Sequence, residues 1–161
     1  MSGHRLPTAQ GDRFPDEDLP EGSVVAGSEL RGAASFDADF VVVGSGASGA
    51  VAAHRLVELG FSVLIVEEGA WLKTRTFTSD VASTFHDMMR DSGMQVSQGR
   101  SFMPMLQGKC VGGSTVINSA IAWRIPEDII DQWSNEFGLG SAITMRDLEP
   151  HYDVLEHDLN V

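Results

Sequence analysis

Gly44, Gly46 and Gly49, spaced G-x-G-x-x-G, are the first residues in this chain whose types and positions can do chemistry. A backbone bare at those intervals can turn tightly at Gly44, admit a pyrophosphate at Gly46 and let a helix pack closely on a strand at Gly49. Ser45, Ala47 and Ser48 fill the gaps. Their amides, with the Ser48 hydroxyl, can meet phosphate oxygens at a helix N-terminus without any Lys or Arg. Further on stands Glu67, where such a motif expects a carboxylate to accept hydrogen bonds from an adenosine ribose. Its negative charge would repel the extra phosphate of NADP, so the implied ligand is FAD or NAD. Glu68 reads as a solvated surface charge.

These residues need elements to hold them. Asp39 begins a continuous apolar run, DFVVV, of the kind found in a strand buried on both faces of a parallel sheet. An Ala-rich helix is expected from about Gly46 to Leu59, with Gly60 at its C-terminal end. A second strand, Phe61 to Glu67, completes a βαβ unit with a right-handed crossover. Val81, Phe85, Met88 and Met89 fall at helical spacing, and Met94 to Ser97 alternates as a strand would. Pro126 can open a helix carrying Ile129, Ile130, Trp133 and Phe137, closed by Gly138. A last helix begins at Thr144, where Thr144 and Asp147 form a capping-box pair, and carries an apolar stripe of Leu148, Tyr152, Leu155 and Leu159.

The second glycine-rich stretch, Gly108 to Arg124, reads GKCVGGSTVINSAIAWR. Gly112 and Gly113 let backbone lie against a cofactor, while Ser114, Thr115 and Asn118 offer polar groups to its edge. This stretch, together with the strand ending in Glu67, Glu68 and Gly69, resembles the glucose-methanol-choline (GMC) oxidoreductases. The resemblance runs from about Asp39 to the end of the chain and is strongest in 39–69 and 108–133. It implies an α/β fold: a Rossmann-like FAD-binding core with additional helices, forming part of a larger domain. It also selects FAD over NAD, and places Asn118 and Ser119 beside the flavin ring. In some members a histidine just before the signature Asn anchors the flavin covalently; Ile117 holds that place here, so non-covalent FAD is expected. Family members oxidise an alcohol with the help of a C-terminal histidine, which lies beyond this sequence. No catalytic residue is therefore assigned: His4, His54, His86, His151 and His157 match no catalytic context. The chain is expected to correspond to the first part of a longer enzyme, either needing the remainder for turnover or binding FAD as a module or split subunit.

Composition narrows the remaining choices. The 161 residues include 23 Asp and Glu against 11 Lys and Arg, a formal net charge of -12 that disfavours nucleic acid and anionic membranes. Cys110 is the sole cysteine, so no internal disulfide and no thiol cluster for zinc or iron–sulfur can form, and no metal is expected. It reads as an inert buried thiol. Lys109 can steer phosphate or lie exposed. Residues 1–35 are rich in Pro, Gly and acidic side chains and read as a loose leader, in which 22–30 can form a short extended arm but reads better as a partly docked tail, with the FAD-binding domain over 36–161. With no signal-like apolar run, a cytoplasmic location is expected.

Overall fold

A computed structural model describes residues 19–140 and 142–161 of the chain. The expected leader thus lies outside the described residues as far as residue 18, and His4 with it. The chain divides into two compact units, one ending at Asn118 and one running from Ser119 to Val161, a division that falls inside the segment 36–161.

In the first unit, β1 (Phe40–Val43), α1 (Ala47–Glu58) and β2 (Val63–Val66) follow one another in chain order. β1 and β2 form a two-stranded parallel sheet in the register Phe40↔Val63 to Val43↔Val66. Valine and isoleucine suit these positions because β-branched side chains lose little freedom in extended backbone. The strand starts are tied together by Asp39, whose carboxylate accepts the Ser62 N–H at 2.8 Å and hydroxyl at 2.7 Å. At the other end the Gly44 N–H donates to the Val66 carbonyl at 2.8 Å, so pairing continues to the glycine turn. α1 ends as its sequence foretells. Gly60 takes φ 90°, and the Phe61 and Gly60 amides donate back to the Leu56 and Val57 carbonyls.

α2 (Val81–Met88) starts at Asp80, whose carboxylate accepts the Ser83 amide at 2.8 Å. The strand expected over Met94 to Ser97 is reduced to one antiparallel bridge, Val96↔Pro104. The bridge is held by the Ser97 amide on the Met103 carbonyl at 2.9 Å and the Met105 amide on the Gln95 carbonyl at 2.8 Å, and it goes no further because the Met103 amide donates to the Ser97 hydroxyl oxygen instead of the Ser97 carbonyl. The 22–30 stretch contains a short 3₁₀ turn, Gly27–Glu29, rather than an extended arm throughout.

The second unit contains α3 (Glu127–Glu136) and α4 (Met145–Leu159). Pro126 precedes α3, Ile130 is its buried residue, and Gly138 at φ 74° follows its end. The capping box of α4 is present: Asp147 accepts the Thr144 amide at 2.9 Å and hydroxyl at 2.6 Å. Arg124 anchors the preceding segment to α4 through Asp153 and Glu156, both at 2.6 Å. Leu155 and Leu159 are exposed at 46% and 65%, so half of the apolar stripe has no cover. Among the described residues no helix is long and apolar enough to cross a membrane.

Candidate functional site

The glycine turn between β1 and α1 gives each of its glycines a different reason to be there. Gly44 sits at φ 89°, a left-handed conformation that side chains resist. A Cβ on Gly49 would lie 2.0 Å from the Gly44 carbonyl oxygen and 3.4 Å from Val42 of β1, so only glycine permits α1 to start this close to the sheet. Gly46 is unlike both. It has φ -62° and ψ -178°, ordinary extended backbone, and a Cβ there would meet nothing within 4 Å. Neither backbone strain nor a neighbouring residue demands glycine at 46.

Gly46 is the N-cap of α1 and supplies no side-chain cap. The Ala50 amide donates to the Gly46 carbonyl at 2.9 Å, but among the described residues the amides of Gly46, Ala47, Ser48 and Gly49 reach no acceptor. Four open donors at the positive end of a helix favour an anion. Ala47 and Ser48 are exposed, and Gly46 and Gly49 are half-buried.

Ser45 has another setting. It is 6% exposed, the one buried polar residue among those described. Its N–H and hydroxyl both donate to Oε2 of Glu67, at 2.8 and 2.7 Å, and its hydroxyl oxygen accepts the Gly112 N–H at 2.9 Å. Glu67, at the end of β2, takes a third donor on Oε1 from the Gly69 amide at 2.8 Å. Partial burial pushes the Glu67 carboxyl upward. The hydrogen bonds from Ser45 and Gly69, with the Arg90 charge, outweigh this and hold it below its ordinary value of 4.5.

The second glycine stretch packs on this assembly. Cys110 forms a parallel bridge with Ala70, and the Val111 amide donates to the Ala70 carbonyl at 3.0 Å, which lays the stretch alongside the chain leaving β2. Gly69 makes that possible, since a Cβ there would stand 2.3 Å from the Cys110 nitrogen. Gly112 and Gly113 have φ 94° and 57°, and a Cβ on Gly113 would come within 3.2 Å of the Gly46 Cα. The two glycine motifs, far apart in sequence, thus meet backbone to backbone. Gly113–Thr115 forms a 3₁₀ turn closed against Gly108, whose amide donates to the Ser114 hydroxyl oxygen at 3.0 Å. Ile117 is half-buried and Asn118 is exposed at the end of the first unit; Ser119, also exposed, begins the second.

Around the site, a shallow cleft of about 300 Å³ is lined by Glu68, Gly69, Ala70, His86, Asp87 and Lys109, among others. Glu68 pairs with Arg90, which also donates to Gln107 at 2.7 Å. Cys110 is 1% exposed, and burial together with the nearby Glu67 charge raises its thiol above the ordinary value of 9.0. His54, His86, His151 and His157 are exposed, and His86 and His157 each bond the aspartate that follows them. Sequence reasoning singled out the glycines, Ser45 and Glu67. It missed the packing roles of Gly69 and Gly108 and the Arg90 tie, none of which leaves a local signal.

A parallel βαβ unit with a glycine turn and a strand-end carboxylate defines the class: an α/β protein with a site at the C-terminal ends of its strands. The family model described as GMC oxidoreductase matches residues 38–161, and the chain belongs to that family. It is 34% identical over 83% of its length to an uncharacterised GMC-type oxidoreductase of Sinorhizobium fredii, covering 26% of that protein. It is 34% identical over 76% of its length to paromamine 6'-oxidase of Streptomyces fradiae, covering 23% of it. With a long-chain-alcohol oxidase of Arabidopsis thaliana it shares 29% identity over 75% of its length and 16% of the relative's. The chain therefore spans about a quarter or less of these relatives.

Proposed function

We propose that this chain is the FAD-binding part of a GMC-type oxidoreductase, built on a Rossmann-like core, whose whole protein oxidises an alcohol. Gly46 carries the reading. It is glycine where the protein's own geometry would accept alanine, and it stands among four open amides at the start of α1. A ligand lying against the backbone supplies the missing reason.

The residues fit FAD in parts. Gly46, Ala47, Ser48 and Gly49 would hold the pyrophosphate through their amides, with Gly44 and Gly49 shaping the turn. Glu67 retains acceptor capacity for the adenosine ribose, because each carboxylate oxygen has two lone pairs and Oε1 takes one donor. Gly112, Gly113, Ser114, Asn118 and Ser119 would line the flavin end, and Ile117 leaves no side chain there for a covalent link. Bound FAD would supply the hydride acceptor for oxidation of a CH–OH group. The alcohol is read from the named relatives, two of which carry oxidase names, one of them for long-chain alcohols. The described histidines bond none of the residues that would hold the cofactor, His86 at the cleft being spent on Asp87, so in this reading the chain alone binds without turnover, whether as part of a longer enzyme or as a module or split subunit. The acidic surface fits a small-molecule substrate and neither nucleic acid nor an anionic membrane, and a cytoplasmic location stays part of this reading.

The test is the visible spectrum of the chain after mixing with FAD and desalting. Retained flavin absorption that enters the supernatant on acid precipitation is expected. Colour that stays in the pellet would overturn non-covalent binding, and a colourless chain that binds NAD would overturn the flavin reading.

A further inference from the structure

Ser45 lies between the two halves of the site, and its bonding pattern differs from that of every other residue of the glycine turn. A serine in a phosphate-binding turn would turn its amide and hydroxyl outward, as the open amides from Gly46 to Gly49 do. Here the amide and hydroxyl are both spent on one carboxylate oxygen, and the hydroxyl's own lone pair receives Gly112. The residue is 6% exposed, so these bonds are little weakened by water.

The geometry points to Ser45 as a positioning residue: it fixes the Glu67 carboxylate with Oε2 turned inward and locks the Gly112 turn to that same carboxylate, joining the two cofactor loops into one unit. Oε2 then has both lone pairs occupied, by the Ser45 N–H and O–H. The acceptor position left on Glu67 belongs to Oε1, which shares it with the Gly69 amide. Two consequences follow. Glu67 can read one ribose hydroxyl through Oε1 instead of two through both oxygens. The Glu67 carboxylate is coupled to Gly112 through Oγ of Ser45, beside the backbone tie that Val111 makes to Ala70. This role rests on the proposed function only where FAD is concerned; the coupling of Glu67 to Gly112 belongs to the chain by itself.

Other charged groups bear on Glu67. Arg90 favours its ionised form, Cys110 lies close enough for its thiol to be raised by the Glu67 charge, and the neighbouring Glu68 is held by Arg90. Substitution at 45 leaves all three in place, so a changed titration of Glu67 reports the loss of the serine.

The experiment compares the full chain with S45A, S45C and S45T. Cysteine nearly keeps the shape of serine with a much weaker donor, and threonine keeps the hydroxyl, so loss of packing does not stand in for loss of the bond. Carbon-detected NMR follows the Glu67 carboxyl through its titration, amide hydrogen exchange follows Gly112, and quenching of flavin fluorescence follows FAD. In S45A and S45C the Glu67 midpoint is expected to rise toward 4.5, and Gly112 to exchange roughly tenfold faster while Ala53 in the core of α1 does not. FAD binding should weaken about tenfold, and S45T should restore all three. An unchanged Glu67 midpoint and unchanged Gly112 exchange in both variants would overturn the assignment. So would faster exchange at Ala53 and Gly112 alike, which marks a general loss of stability. If the unsubstituted chain binds no FAD, the proposed function falls, and the first two readouts still judge Ser45.

Discussion

At Gly46 the chain uses glycine where its own backbone is relaxed, and at Gly49 it uses glycine because nothing larger fits. These two positions therefore separate binding from folding. Alanine at 46 is expected to leave the melting temperature within the range set by about 1 kcal/mol, the usual difference between capping residues, while weakening FAD tenfold or more. Alanine at 49 must displace the Gly44 carbonyl and is expected to lower stability by about 1–3 kcal/mol, seen in denaturant melts without any ligand. Glu67 gives a pH signature. Its pKa in the folded chain lies below the ordinary 4.5, so the stability it contributes is fully present above that pH and is lost as pH falls through the folded value. Urea melts from pH 7 down to pH 3 should show this loss in the native chain. A smaller decline is expected in E67Q, and equal declines in the two would contradict the hydrogen-bonded, ionised carboxylate.

At the scale of elements, the two strands, α1 and its Gly60 terminus were legible because their signals are local: an apolar run, an alanine-rich segment, a glycine where a left-handed residue must stand. The capping box at Thr144 and Asp147 was legible for the same reason. The joint between the motifs was not. Gly112 bonds Ser45 across 67 positions, and no spacing rule links a serine in one turn to a glycine in another. Gly69 was legible as a match to a family pattern but not as a packing requirement, since the group it must avoid, the Cys110 backbone, comes from distant chain. The failed strand at 94–97 shows the reverse error. Its alternation was real, yet the Met103 amide that would extend the pairing is taken by the Ser97 side chain, and a period alone carries no information about its partner. The Gly69 contact yields a test: G69A should push the 108–113 stretch away from β2. Cys110, buried in the native chain, should then react with a thiol reagent at least about tenfold faster, whereas a reaction as slow as the native one would mean that the packing is not needed.

Taken whole, the described chain has few buried apolar residues, namely Ala53, Met88, Cys110 and Ile130, while Val43, Trp123 and Phe102 stand 78–89% exposed. A thin core makes bound ligand a large share of total stability. If the first unit cradles FAD as proposed, thermal unfolding of the 161-residue chain against increasing FAD, with NAD and NADP as comparisons, will show it. Saturation at a hundredfold excess over the dissociation constant adds about 2.7 kcal/mol, so a rise of several degrees with FAD is expected, and little or none with NADP. No shift with FAD at millimolar concentration, or a larger one with NAD, would contradict the account.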